Sequence, residues 1–100
     1  MAEGKITNYL SPKNYSFSFY SAPAGGTIDI DYNDATRGMI LLSSAAGGAQ
    51  GIICYAVNSA GTTSGQKLVG ATDIVITTAT RKLTLKNNAS AIASFLMIDM

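Results

Sequence analysis

Polar and apolar residues alternate along the first third of the chain. In "NYSFSFYS", residues 14 to 21, Tyr15, Phe17 and Phe19 fall on one side and Ser16, Ser18 and Tyr20 on the other, the two-residue period of a half-buried strand. The pattern predicts the first three rings inward and Tyr20 outward with the serines. "GTIDIDYN", residues 26 to 33, predicts Ile28, Ile30 and Tyr32 inward and Thr27, Asp29 and Asp31 outward. The intervening "SAPAGG" contains Pro23, Gly25 and Gly26, a turn signal, so the two strands are expected to pair in one sheet.

The middle of the chain changes character. "GMILLSS" (38 to 44) and "GIICYAV" (51 to 57) are continuous apolar runs flanking the small-residue loop "AAGGAQ", and such runs predict strands covered on both faces. A polar loop, "NSAGTTSGQ" (58 to 66), leads to a short "KLV", and "DIVITTA" (73 to 79), "KLTLKN" (82 to 87) and "AIASFLMI" (91 to 98) follow on short linkers. That spacing predicts an antiparallel meander. Gly47, Gly48 and Gly51 break the Ala-containing stretches, and β-branched and aromatic residues dominate elsewhere, which argues against a long helix. The expectation is one all-β domain over residues 1–100, an antiparallel β-sandwich of jelly-roll-like type with about eight or nine strands. Residues 1–12 would form a leading strand or an arm.

The last strand is apolar on both faces at Phe95, Leu96, Met97 and Ile98. One face is expected in the domain's own core and the other against a second copy, with Phe95 and Met97 as the subunit-interface residues. The segment falls far short of the roughly 20 apolar residues a membrane-spanning helix needs, so membrane insertion is not expected.

Composition narrows the chemistry. Charged residues make up 13% of the chain, about half the usual share near 25%, and small uncharged polar residues take their place. The net charge is +1 with Lys and Arg scattered singly, so no basic stripe addresses a phosphate backbone and nucleic acid is not an expected partner. Histidine is absent, which removes imidazole-based triads and most zinc sites. Cys54 rules out an internal disulfide, and its apolar neighbours in "GIICYAV" predict an inert core thiol. "DIDYND" begins like a calcium loop, but Asp34 stands where that loop needs Gly and Ile40 where it needs Glu. Asp29 and Asp31 share one strand face rather than flanking a cleft, which is wrong for a glycosidase pair. "GGAQG" and "GTTSG" read as turns. No catalytic residue, metal site or cofactor is expected, and the chain reads as a non-enzyme. "MAEGKITNYL" turns polar at once, which disfavours secretion and makes the sequons at Asn14 and Asn88 ordinary loop residues.

A binding role would then use rings and hydroxyls. Tyr20, on the outward face of its strand, and Tyr9, near the arm, are the aromatic candidates, because tyrosine offers rigid contact area with a polar tip. Asn58, Thr62 and Thr63 of the polar loop are the hydrogen-bonding candidates. These residues would also serve the alternative readings, a monomeric carbohydrate-binding module or a bacterial surface structural module.

"TRGMILLSSAAGGAQGIICYAVNSAGT" followed by "DIVITTATRKLTLKNNASAIASFLMI" resembles the C-terminal domains of phage tail-fibre and minor structural proteins, especially those of gut Firmicutes phages and related prophages. Arg37 and Gly38 open an apolar strand, a second apolar strand and a polar loop follow, and x-I-T-I-like strands close on an apolar strand. The resemblance covers residues 36 to 98. It implies a compact domain at the distal end of a virion fibre, commonly a homotrimer, made in the bacterial cytoplasm without a signal peptide. Host-surface attachment, to a glycan or protein, or fibre assembly would be its task.

Overall fold

The computed structural model describes residues 16–100. The expected arm at residues 1–12, together with Tyr9 and Tyr15, lies outside that range. Among the described residues there are eight strands: β1 Ser16–Ala22, β2 Thr27–Asp31, β3 Thr36–Ser44, β4 Gly51–Val57, β5 Thr63–Gly70, β6 Ile74–Ala79, β7 Lys82–Asn87 and β8 Ala93–Asp99. They form a five-stranded sheet, β1-β8-β3-β4-β5, and a three-stranded sheet, β2-β7-β6, antiparallel throughout. A 3-10 turn at Gly47–Ala49 sits between β3 and β4. The all-β sandwich expected from the alternation is the observed architecture.

β4 and β7 coincide with "GIICYAV" and "KLTLKN". β5 is longer than "KLV" and takes in the last four residues, 63–66, of the segment read as a polar loop. β1 and β2 do not pair: they belong to different sheets. The C-terminal third is no meander either, since β6 and β7 form a hairpin in the small sheet while β8 crosses back and inserts between β1 and β3. Both departures have one cause. Segments with a single apolar face bury it better against one another across a core than side by side in one sheet.

The strand pairs β1 with β8, β2 with β7 and β4 with β5 are nested as in a jelly roll. The fourth nested pair, β3 with β6, is replaced: β3 pairs with β4 and β8, and β6 with β7.

The core is built from Ile40, Leu42, Ile53, Tyr55, Val57, Phe95 and Met97 of the large sheet against Ile30, Ile74, Leu83 and Leu85 of the small one, all buried. Tyr32 stacks on Tyr55 with ring centroids 5.4 Å apart and planes at 24°, an offset arrangement favoured by the ring quadrupoles. Its hydroxyl donates to Met97 Sδ at 3.5 Å. Burial, then the nearby charge of Asp99, pushes the Tyr32 phenol well above its ordinary range, so the ring stays neutral.

β1 is turned the opposite way from the sequence expectation. Its register sets Tyr20 opposite Phe95 and Ala22 opposite Ala93, so Ala22 is buried and Tyr20 packs partly buried against the core. Phe17 and Phe19, opposite Ile98 and Leu96, point away from the core and are 63% and 79% exposed.

The registers also define two ends. Residues 16 and 99, the β2–β3 and β4–β5 loops and the β6–β7 turn gather at one. The loops at 23–26, 45–50, 71–73 and 88–92 gather at the other. Fully buried Asn87 ties that second end together. Its Nδ2 donates to the carbonyls of Ala22 (3.1 Å), Pro23 (3.3 Å) and Ala91 (2.9 Å), and its Oδ1 accepts from the Ala89 N–H (3.0 Å).

Candidate interaction face

Residues directly opposite in paired strands share a face, so the register can be read straight across the five-stranded sheet. On its outer side one row runs Phe17, Ile98, Met39, Cys54, Gln66, and the next runs Phe19, Leu96, Leu41, Ile52, Val69. Nine of these ten side chains are apolar. Beyond the second row lie Ser21, Ser94 and Ser43, and beyond the first lie Arg37, Ala56 and Ser64. Arg37 is the one charged residue in these four rows. Alternation along β8 and β3 thus produces two apolar faces: one closes the core, and among the described residues nothing covers the other.

An open groove of about 500 Å³ lies on this side toward the β5 edge, lined by Arg37, Met39, Cys54, Ala56, Ser64 and Gln66. Cys54 is half-buried at its wall, not in the core as expected, because its register partner Met39 points outward while its neighbours Ile53 and Tyr55 point in.

On the inner side a polar bridge crosses four strands. Tyr55 of β4 reaches over Gly38 of β3 and donates its hydroxyl to the Asp99 carboxylate of β8, and Ser16 of β1 donates to the other carboxylate oxygen at 3.2 Å. Gly38 makes the passage possible, since a Cβ there would collide with the Ile98 carbonyl and the Tyr55 hydroxyl. Burial pushes the Asp99 carboxyl above its ordinary value, and the Ser16 hydrogen bond works against that rise.

The expected site residues are dispersed. Phe95 and Met97 are buried between the sheets of their own chain, so the side chains of β8 left for a neighbour are Leu96 and Ile98. The error in the expectation is one of parity: the run "FLMI" shows two apolar faces without saying which is inside. Tyr20 is on the core side rather than outward, and Tyr9 lies outside the described residues. Asn58 organises its own loop, its Oδ1 accepting from the N–H groups of Ala60 (3.0 Å) and Thr62 (2.9 Å). Thr63 is buried and donates to the Gly61 carbonyl at 3.1 Å, while Thr62 is exposed. Asp29 accepts from Thr84 Oγ1 at 2.7 Å and Asp31 lies 4.0 Å from Lys82, so both aspartates belong to the solvated edge of the small sheet. Among the described residues no three His, Cys, Asp or Glu side chains converge, and no helix is long and apolar enough to cross a membrane. The outer-face residues Phe17, Phe19, Leu41, Ile52, Leu96 and Ile98 escaped the sequence reading, although the continuous runs of β3 and β4 carried the signal of a second covered face.

No family model matches the chain, and no curated protein matches it by sequence. Among solved structures it is similar to the tailspike protein gp49 of Acinetobacter baumannii bacteriophage Fri1, a capsular polysaccharide depolymerase, with a TM-score of 0.61 at 15% identity. The match covers 89% of this chain and 18% of that one. At that identity the likeness is one of fold, and the chain spans less than a fifth of the tailspike's length.

Proposed function

We propose that the chain is a non-enzymatic structural domain of a phage tail component, assembled as a homotrimer in the virion and serving host-surface attachment or fibre assembly. The observation that carries this reading is the sandwich shared over most of the chain with a domain-sized piece of a phage tailspike. The low charge and the bare apolar face support it, because a face of this kind is costly to leave in water. The loops at 23–26, 45–50, 71–73 and 88–92 stand at the end away from residue 16, where residues 1–15 join the domain, and are assigned to the host surface, a glycan or a protein. Asn58 and Thr62 stand at the joining end and are not assigned to it. The depolymerase activity belongs to the tailspike; here Asp29 and Asp31 lie on one exposed strand, which supports a non-catalytic role.

Light scattering at micromolar concentration tests the reading, with a mass of three chains expected. A strictly monomeric protein overturns it, and shortening of capsular polysaccharide chains on incubation with the purified protein overturns its non-enzymatic part. The groove beside Arg37 and Gln66 favours one second reading, a monomeric carbohydrate-binding module. Glycan binding by a monomer, lost on Gln66→Ala, would establish that instead.

A further inference from the structure

The outer face of the five-stranded sheet is asymmetric in relief. Phe17 and Phe19 stand out from edge strand β1, and among the described residues they are the most exposed large apolar side chains. The groove lies at the opposite side of the same face, between β3, β4 and β5. The two features lie in the same pair of rows: Phe17 shares a row with Met39, Cys54 and Gln66, and Phe19 shares the next with Ile52 and Val69. They cannot meet within one chain, because three strand spacings of about 4.8 Å separate Phe17 from Cys54.

We infer that the groove of one copy receives Phe17 and Phe19 of the next, so that β1 of each subunit lies over β4 and β5 of its neighbour. This rests on the homo-oligomeric reading and names its contact. Knob and groove lie at opposite sides of one face; used one at a time, knob toward one neighbour and groove toward the other, they make a heterologous contact whose closure gives a ring, as a trimer requires, whereas a two-fold dimer would use both at once. Charge is compatible with self-association, since Arg37 alone is charged and no like-charged rows are brought together. The face is sizeable: its sixteen residues in four rows, at about 4.8 by about 6.8 Å each, span about 520 Å² in projection, shared between the two contacts a ring subunit makes. Protruding side chains raise accessible area above projection, toward the roughly 800 Å² per partner of a stable interface.

The test uses exposed positions, so folding is not at risk. Phe17→Asp with Phe19→Asp should keep the wild-type far-UV circular dichroism and run as a monomer where the wild type runs as an oligomer. A variant that keeps the wild-type mass overturns the contact while leaving the homo-oligomeric reading intact; a monomeric wild type overturns both. A second measurement reads the neighbour directly. Phe17→Cys, with Phe19 left in place, should form disulfide-linked multimers on mild oxidation, and Cys54→Ser in that background should abolish them. A disulfide cannot close within the chain at a separation of about 14 Å. Absence of linked species, or links that survive Cys54→Ser, overturns the pairing.

Discussion

The Tyr55 hydroxyl donates to the Asp99 carboxylate across the backbone of Gly38, joining β4 to β8 over the intervening β3. Two side chains far apart in sequence therefore hold three adjacent strands in register at the end where the chain enters the domain. Gly38→Ala should break this arrangement, since the added methyl meets the Ile98 carbonyl and the Tyr55 ring must move. A loss of about 1–3 kcal/mol, the usual cost of overpacking, is expected in urea unfolding. Tyr55→Phe keeps the ring stack on Tyr32 and removes the hydroxyl alone, with its bonds to Asp99 and to the Ile98 carbonyl, for about 1 kcal/mol. Equal stability of the alanine variant and the wild type would contradict the geometry.

Asp99 also sets a pH dependence. Its folded-state carboxyl is raised above the ordinary value, chiefly by burial, so the folded chain holds that proton more tightly than the unfolded chain does. Acidification through the window from the raised value down to the unfolded value of about 3.9 therefore favours folding, and the charged group opposes folding above that window. The difference in unfolding free energy between Asp99→Asn and wild type should favour the variant most at neutral pH and shrink toward pH 4. Urea titrations at matched pH values check this; a flat difference, or one that grows on acidification, would be evidence against it.

Parity along β8 separates core from surface. Phe95→Asp places a charge with no partner between the sheets and should unfold the domain, as unpaired buried charges cost several kcal/mol. Leu96→Asp, one residue later, should leave the circular dichroism unchanged and act on the assembly instead. Unfolding by both variants, or by neither, would contradict the assigned faces.

Asn87 is the polar keystone of the opposite end. Asn87→Leu removes the donor to the Ala22, Pro23 and Ala91 carbonyls and the acceptor of the Ala89 N–H; the Pro23 carbonyl keeps the Gly26 N–H, and the remaining losses should cost about 3 kcal/mol or more, at about 1–3 kcal/mol per unsatisfied group. Asn87→Asp should be no better than leucine despite its shape, because the carbonyls need a donor and the carboxylate supplies none at neutral pH. Thermal unfolding of the two variants compares volume with hydrogen bonding.

The strand content was legible in the sequence because alternation and Gly-rich turns are local. Which sheet each strand joins was not, since the β1–β2 and β7–β8 connections look like hairpin turns yet cross the core. β5 was hidden because it is an edge strand with little burial, and because it includes Gly65, where a Cβ would press on Leu83 and Ile76 of the small sheet. The orientation of β1 misled for a more instructive reason. Phe17 and Phe19 are the most apolar residues of that strand, so a single-chain reading turns them inward, while register with β8 gives the inner positions to Tyr20 and Ala22. The face they join carries the candidate site, and its residues were visible as apolar runs but not as a surface.

The place of β8 governs how the domain is made. In the five-stranded sheet β1 pairs with β8, and of the eight described strands β8 leaves the ribosome last. Until residues 93–99 arrive, β1 has no ladder to join and one edge of β3 stands open. Closure of this sheet is therefore a late, non-local event, of the kind that slows folding. An unpaired apolar edge during that interval is open to aggregation, so arrest before residue 93 should yield an aggregating species where a chain that includes β8 yields a sandwich.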